Sequence, residues 1–264
     1  MLIIGERINT SRKSIQRAVE SKDGAFIKRE AVLQAEAGAS MLDINCGTSM
    51  ERESSDIEWL IDTVQAAVDL PLCIDSPSPK VLGIALGFCR KRALINSITL
   101  EKGRFDAVVS LVKKYKAQVI ALTMDESSMP KNAVERAAKA EKLLGLLRKE
   151  GVKDEDIFFD PLVKSIASEP DQAVEFLEAV ARIKSLGKVK VVGGLSNVSF
   201  GLPGRHLLNS VFAGLAASRG IDAAIIDPLD KETMAIILAA ETLAGRDEYC
   251  VNYIKAFREG RLEY

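Results

Sequence analysis

The chain alternates short apolar runs with longer amphipathic stretches, and eight of the apolar runs have the length of a β-strand. These runs are Leu2–Gly5, Met41–Ile44, Leu72–Ile74, Ala93–Ile95, Val119–Leu122, Ile157–Phe159, Val189–Val192 and Ala223–Ile226. Most of them are apolar at every position rather than at every second one. This pattern predicts strands that are buried on both faces, as in a parallel sheet.

The stretches between the runs predict amphipathic helices. The segment Ala133–Glu150, for example, repeats its apolar residues at helical spacing and stops at Gly151. Strand and helix alternating eight times predict an α/β fold of the (β/α)8 TIM-barrel class. No Gly/Ser-rich or Pro-rich linker interrupts the sequence, so we expect a single domain over residues 1–264.

An open, doubly wound sheet is the alternative architecture. Its usual signature is a GxGxxG turn after the first strand, where glycines let the backbone approach a dinucleotide. Here the first strand runs into Gly5-Glu6-Arg7-Ile8-Asn9, which does not supply that turn. The sequence therefore favours the closed barrel.

Composition excludes several classes of function. The chain has 36 Lys and Arg against 37 Asp and Glu, so it lacks the basic field that attracts nucleic acid or an anionic membrane. The amino terminus does not resemble a signal peptide, and no apolar window is long enough to span a bilayer. Four scattered cysteines without CxxC spacing predict reduced thiols in a cytoplasmic protein, and the absence of a His/Cys cluster predicts no metal site.

Polar residues follow the predicted strands. They are Glu6, Arg7, Asn9, Asp43, Asn45, Asp75, Asn96, Thr123, Asp125, Asp160, Ser196, Asn197 and Asp227. Any one of them has an ordinary alternative role as a helix cap or turn residue. In a barrel, however, all eight strand ends converge on the face that carries the active site. A ring of Asp and Asn without lysine or histidine suits a neutral heterocycle rich in hydrogen-bond donors.

Six ordered motifs resemble a known family. They are Gly5-Glu6-Arg7-Ile8-Asn9, Leu42-Asp43-Ile44-Asn45, Cys73-Ile74-Asp75-Ser76, Leu94-Ile95-Asn96-Ser97, Asp160-Pro161-Leu162 and Gly194-Leu195-Ser196-Asn197-Val198-Ser199. Together they resemble the pterin-binding methyltransferases, over essentially the whole chain. That family includes methyltetrahydrofolate:corrinoid/iron-sulfur protein methyltransferase and the folate domain of cobalamin-dependent methionine synthase.

The resemblance implies a set of site residues. Asp75, Asn96 and Asp160 match the residues that hold the pterin ring, and Asn197 matches the asparagine that contacts the N5 region. Arg205 lies where family members place an arginine near the folate. Because the amine at N5 is a poor leaving group, displacement needs a proton or a strong hydrogen bond there. Our hypothesis is that Asn197 is the catalytic residue and that it accepts a hydrogen bond from protonated N5.

The implied activity is the transfer of a methyl group between 5-methyltetrahydrofolate and a corrinoid (cobalamin), in a direction that the sequence leaves open. A base-off cobalamin module carries Asp-x-His-x-x-Gly, but the residue two before the sole histidine, His206, is Gly204. We therefore expect a corrinoid-binding partner protein, and we interpret His206 as a loop or rim residue. By analogy with the family, the chain is expected to form a homodimer.

Two other functions stay open from the sequence. One is a non-catalytic folate-binding barrel, which would bind the ligand without turnover. The other is an enzyme like dihydropteroate synthase, which shares the barrel and some of the Asp and Asn positions. That activity requires basic residues for a pyrophosphate, including an Arg-x-His type ending of strand eight. Here the strand ends Ile226-Asp227-Pro228, which disfavours it.

Overall fold

The computed structural model describes residues 1–47, 52–126 and 129–262. Its eight strands are β1 Leu2–Asn9, β2 Met41–Asn45, β3 Leu72–Asp75, β4 Leu94–Ile98, β5 Gln118–Leu122, β6 Ile157–Asp160, β7 Lys190–Gly194 and β8 Ala223–Ile226. Each of them contains or overlaps one of the eight predicted runs. The strands pair in parallel in chain order, and β8 closes onto β1. The prediction of a (β/α)8 barrel is thus confirmed, and the open-sheet alternative is wrong.

Helices follow the strands around the outside of the barrel. They are α1 Lys13–Glu20, α2 Gly24–Glu36, α3 Glu53–Gln65, α4 Pro79–Phe88, α5 Lys102–Tyr115, α6 Ala133–Lys149, α7 Gln172–Lys184, α8 Arg205–Ser218, α9 Lys231–Leu243 and α10 Val251–Arg258. In addition, a 3-10 turn, Leu195–Ser199, directly follows β7. None of the helices in the described ranges is both long and apolar enough to cross a membrane.

A central layer of the barrel interior consists of one apolar side chain from each strand. These side chains are Ile4, Met41, Cys73, Leu94, Ile120, Phe158, Val192 and Ala223. A larger apolar cluster lies between the strands and the helices. Since side chains alternate between the two faces of a strand, the residue two positions beyond each interior residue points inward again, nearer the carboxyl end. This second inward position is polar in five strands: Glu6, Asp43, Asp75, Asn96 and Asp160.

Two irregularities in strand pairing lie at this polar level. Between β1 and β2 the register shifts after Gly5, so that Glu6 and Arg7 stand opposite the single residue Asp43. Between β4 and β5 it shifts at Ser97, directly after Asn96. Bulges of this kind locally bend a strand and re-aim its side chains, and they are common beside active sites.

Candidate functional site

A polar cavity of about 390 Å³ opens at the carboxyl ends of the strands. All five site residues predicted from the sequence line it: Asp75, Asn96, Asp160, Asn197 and Arg205. Other predicted strand-end residues do not line the cavity; they include Arg7, Asn45, Thr123 and Asp125. Asp125, for example, forms an ion pair with Lys139 on α6. The fold thus collects residues from separate strands into one cavity and leaves other strand-end residues in structural contacts.

The carboxylates on one side of the cavity are held by neighbouring amides. The side chain of Asn45 donates to Asp75 at 2.9 Å. Asp75 pairs across the sheet with Asn96, and the side chain of Asn96 lies near enough to Asp43 to oppose the rise of the Asp43 pKa. Asp43 is almost fully buried, and its Oδ1 finds no hydrogen-bond partner within the described residues. This side of the cavity therefore presents acceptor oxygens whose positions are set before any ligand binds.

Burial dominates the electrostatics of these acids. Removal from water raises the pKa of Asp43 well above its usual range, and the nearby charge of Asp75 adds to that shift. Burial likewise raises the pKa of Asp75, against the opposing hydrogen bond from Asn45 and the charge of Arg104. The pKa of Asp160 is raised to about 6 by burial, although the backbone N–H of Leu162 and the charge of Arg136 oppose the rise.

An ionic network between β1 and β8 adjoins the cavity, and two of its members, Glu6 and Arg12, line it. Arg7 binds Glu30 of α2 and Asp227 at the end of β8, both at 2.8 Å. Arg12 reaches the same Asp227 at 3.4 Å and Glu6 at 3.6 Å. Burial raises the pKa of Glu6, while Arg12 opposes the shift. Asp227 is therefore committed to two arginines.

Asn197 lies on the 3-10 turn after β7, at the open edge of the cavity. Its side chain is exposed, and its amide forms no hydrogen bond to any described residue. Its neighbour Ser196 donates to Glu6 at 3.2 Å. Arg205 secures the turn by donating to the carbonyl of Ser196 at 2.8 Å and to Ser199 Oγ at 3.1 Å. The turn is anchored, but the Asn197 amide remains available to a ligand.

Comparison with known proteins assigns the chain to a family. The sequence profile of the family described as pterin binding enzyme matches residues 5–227. The chain belongs to this family. The match begins at the glycine of the first predicted motif and ends at Asp227, so it includes every cavity residue described above.

Curated relatives of this pterin-binding enzyme agree with that assignment. It is 36% identical to methylcorrinoid:tetrahydrofolate methyltransferase of Eubacterium limosum, over 99% of this chain and 98% of the relative. It is also 32% identical to methionine synthase of Mycobacterium tuberculosis over 86% of this chain, which corresponds to only 20% of that longer protein. Two different relatives of known activity therefore align with this barrel.

Among solved structures, the same barrel occurs in dihydropteroate synthases. The enzyme from Xanthomonas albilineans in complex with 7,8-dihydropteroate superposes with a TM-score of 0.71 at 21% identity, and covers 92% of this chain and 93% of its own. The enzyme from Yersinia pestis with a sulfonamide drug gives a TM-score of 0.73 at 14% identity, over 92% and 94% of the two chains. At these identities the likeness establishes the fold alone.

The site of this pterin-binding enzyme contains residues that the sequence analysis noted only as strand ends. Glu6, Asp43 and Ser196 all line the cavity, as do Asn9 and Arg12. A signal for two of them is present in the sequence. Glu6 and Asp43 each lie two positions beyond an interior residue, Ile4 and Met41, so period-two counting places them inward. Arg12 lies beyond the strand, and no comparable signal exists for it.

His206 is a helix residue and not the loop residue expected from the sequence. It lies in the first turn of α8 rather than in the glycine-containing loop before it. Its Nε2 is 2.8 Å from Asp230 and its Nδ1 is 3.3 Å from Glu232, both at the start of α9. It lines a smaller neighbouring pocket of about 280 Å³ and not the main cavity. Its contacts join α8 to α9.

In the described ranges, no His, Cys, Asp and Glu side chains are grouped so as to hold a metal ion.

Proposed function

We propose that this chain, as a single barrel domain spanning residues 1–264, transfers a methyl group between N5 of tetrahydrofolate and a corrinoid carried by a partner protein. The observation that carries the proposal is the acid and amide lining of the mouth cavity, in a chain whose whole length aligns with a methylcorrinoid:tetrahydrofolate methyltransferase. The methyl group is exchanged with the cobalt of the corrinoid. The tasks of this chain are to orient the folate and to stabilise charge at N5.

The pterin ring is proposed to bind to Asp75, Asn96 and Asp160, which we call the ring-binding set. Carboxylates accept hydrogen bonds from ring N–H and amino groups, while the asparagine amide offers both a donor and an acceptor. Asp75 and Asn96 lie side by side on paired strands, and Asp160 approaches from β6 on the far side of β5. Acceptors on two sides of one cavity fix the ring in its plane and limit the positions that N5 can take.

Asn197 is proposed to stabilise the transition state at N5. Departure of the folate from the methyl group leaves electron density on nitrogen, which requires a proton. An amide without an internal partner can rotate, so its oxygen can accept from protonated N5 and its NH2 group can donate to unprotonated N5. Arg205, which secures the turn carrying Asn197, is proposed to hold that amide near the ligand.

The proposal is tested by a spectroscopic assay of methyl transfer in both directions. Purified protein is mixed with reduced cobalamin and 5-methyltetrahydrofolate, or with methylcobalamin and tetrahydrofolate, and the cobalamin absorption spectrum is followed. Turnover in either direction is the expected result. Binding of folate without turnover, also in the presence of candidate corrinoid proteins, would favour the non-catalytic barrel. Absence of both turnover and folate binding would contradict the proposal.

We further propose that the protein acts as a homodimer in the cytoplasm. The cysteines of the described residues are free thiols, as expected in a reducing compartment. On α8, Leu207, Val211 and Leu215 are spaced four residues apart and are 62%, 49% and 48% exposed. Such an aligned apolar stripe on a surface is typical of a protein interface.

The substitution Val211→Glu is expected to convert the dimer into a monomer, because it buries a charge in the proposed contact. Sedimentation equilibrium measures the mass of each protein. Val134→Glu on α6 is the matched control, since Val134 is exposed to a similar degree, at 59%, away from the α8 stripe. A wild-type protein that sediments as a monomer, or a Val211→Glu variant that stays dimeric, would rule out this interface.

A further inference from the structure

Two arginines on the outer helices reach the main chain directly behind the ring-binding set. Arg104 comes from α5, the helix that follows β4, and Arg136 comes from α6, which follows β5. Neither one lines the mouth cavity. Both donate hydrogen bonds to carbonyl groups one or two residues after a ring-binding residue.

Arg104 joins the ends of two strands. Its Nε donates to the carbonyl of Ser97 at 3.0 Å, and its Nη2 donates to the carbonyl of Ser76 at 3.2 Å. Its Nη1 donates to the carbonyl of Pro77. Ser76 and Ser97 directly follow Asp75 and Asn96, the pair that faces each other across β3 and β4. One planar guanidinium therefore sets the separation of two ring-binding side chains.

Arg136 supports the third member of the set. Its side chain is fully buried. Its Nε donates to the carbonyl of Pro161 at 2.7 Å, and its Nη2 donates to the carbonyl of Leu162 at 3.2 Å and to Gln172 at 2.7 Å. Leu162 in turn donates its backbone N–H to Asp160 Oδ1 at 2.7 Å. Arg136 thus acts on Asp160 through a single turn.

That turn needs support from outside itself. Leu162 has a φ of +66°, in the left-handed region that is unfavourable for a residue with a side chain. This torsion lies after the Leu162 N–H along the chain, and it helps to set the position of the Leu162 carbonyl, which is one of the two carbonyl groups that Arg136 binds. A buried arginine is also costly, because a charge is taken out of water. A left-handed leucine and a buried arginine occur together here because the arginine fixes a turn that would otherwise relax and release Asp160.

We propose that Arg104 and Arg136 are positioning residues, which hold the ring-binding set in the geometry that accepts the pterin. This inference rests on the proposed function. Their positive charges also favour pterin binding. The charge of Arg104 opposes protonation of Asp75, and the charge of Arg136 opposes protonation of Asp160. An ionised carboxylate is the form that accepts hydrogen bonds from the ring.

The test measures the dissociation constant of tetrahydrofolate by anaerobic calorimetry between pH 5 and pH 8. We expect Arg136→Met and Arg104→Met to weaken binding about tenfold at pH 7.5, as loss of hydrogen bonds made by a charged group predicts. In Arg136→Met the loss of affinity on acidification should also begin at a higher pH than in the wild type. The remaining charged side chains around the cavity are unchanged in that comparison: Glu6, Arg12, Asp43, Asp75 and Arg205.

Further variants separate positioning from folding. Arg136→Lys keeps the positive charge but loses the planar, forked set of N–H donors. It should therefore keep the wild-type pH dependence while binding tetrahydrofolate more weakly. Arg148→Met is the control, since Arg148 lies on the same helix and pairs with Asp154 on the surface. If Arg136→Lys and Arg104→Met melt at a lower temperature but bind tetrahydrofolate as the wild type does, the arginines are merely structural and the inference is overturned. A wild-type protein that fails to bind tetrahydrofolate would instead overturn the proposed function.

Discussion

Replacement of Asn197 by alanine is expected to slow methyl transfer by about 10²- to 10³-fold, the usual cost of removing one hydrogen bond that strengthens in a transition state. Binding of tetrahydrofolate should change by only a few-fold, because the ring-binding set is untouched. The free energy of unfolding should also be almost unchanged, since the amide is exposed and bonds to no described residue. The measurement is the single-turnover rate at saturating folate, beside the dissociation constant.

Two further variants sharpen this result. Asn197→Asp can accept a hydrogen bond from protonated N5 but cannot donate one. If Asn197 acts by accepting a hydrogen bond from protonated N5, this variant should retain more activity than Asn197→Ala, most clearly at acidic pH. Asn252→Ala on α10 is the control, since Asn252 lies outside the cavity lining. An alanine variant with the wild-type rate would remove Asn197 from the mechanism.

Replacement of Asp160 by asparagine is expected to weaken tetrahydrofolate binding by about 10²-fold, because a carboxylate that accepts from charged or strongly polarised donors contributes about 1.5–3 kcal/mol. Its pKa of about 6 also predicts a pH dependence. The ionised form accepts from the ring, so wild-type affinity should fall as the pH is lowered through about 6. In Asp160→Asn that contribution should be absent. Titration of the dissociation constant from pH 5 to pH 8 provides both results.

The same carboxylate should affect stability with the opposite sign. Its pKa is higher in the folded than in the unfolded protein, so the folded state holds the proton more tightly. Stability from this group is therefore present below the unfolded pKa and is lost as the pH rises through about 6. Without ligand, Asp160→Asn should be more stable than the wild type at pH 7.5, by on the order of 2 kcal/mol. Urea unfolding at pH 5 and pH 7.5 compares the two proteins, and an equal difference at both values would contradict the pKa.

The sequence alone determined the barrel and the position of its active face. Eight runs, apolar at nearly every position, are compatible with strands buried on both faces, and an amphipathic stretch after each strand supplies the outer helices. Parallel strands all point the same way, so their polar ends must meet. For this reason the strand-end candidates Asp75, Asn96, Asp160 and Asn197 line one cavity.

Only the tertiary structure decided which of the remaining strand-end residues lie outside that cavity and how burial shifts the pKa of its acids. A shift of register at Ser97 or after Gly5 depends on the partner strand, and so it leaves no periodic signal in the sequence. The same holds for Arg104 and Arg136, whose partners lie about 7 to 36 positions away along the chain. Asp125 and Asp160 are both acids at strand ends, yet Asp125 pairs with a lysine outside the cavity and Asp160 is half-buried in the cavity lining. Local sequence specifies a strand end, but burial and neighbouring charge arise only when distant segments meet.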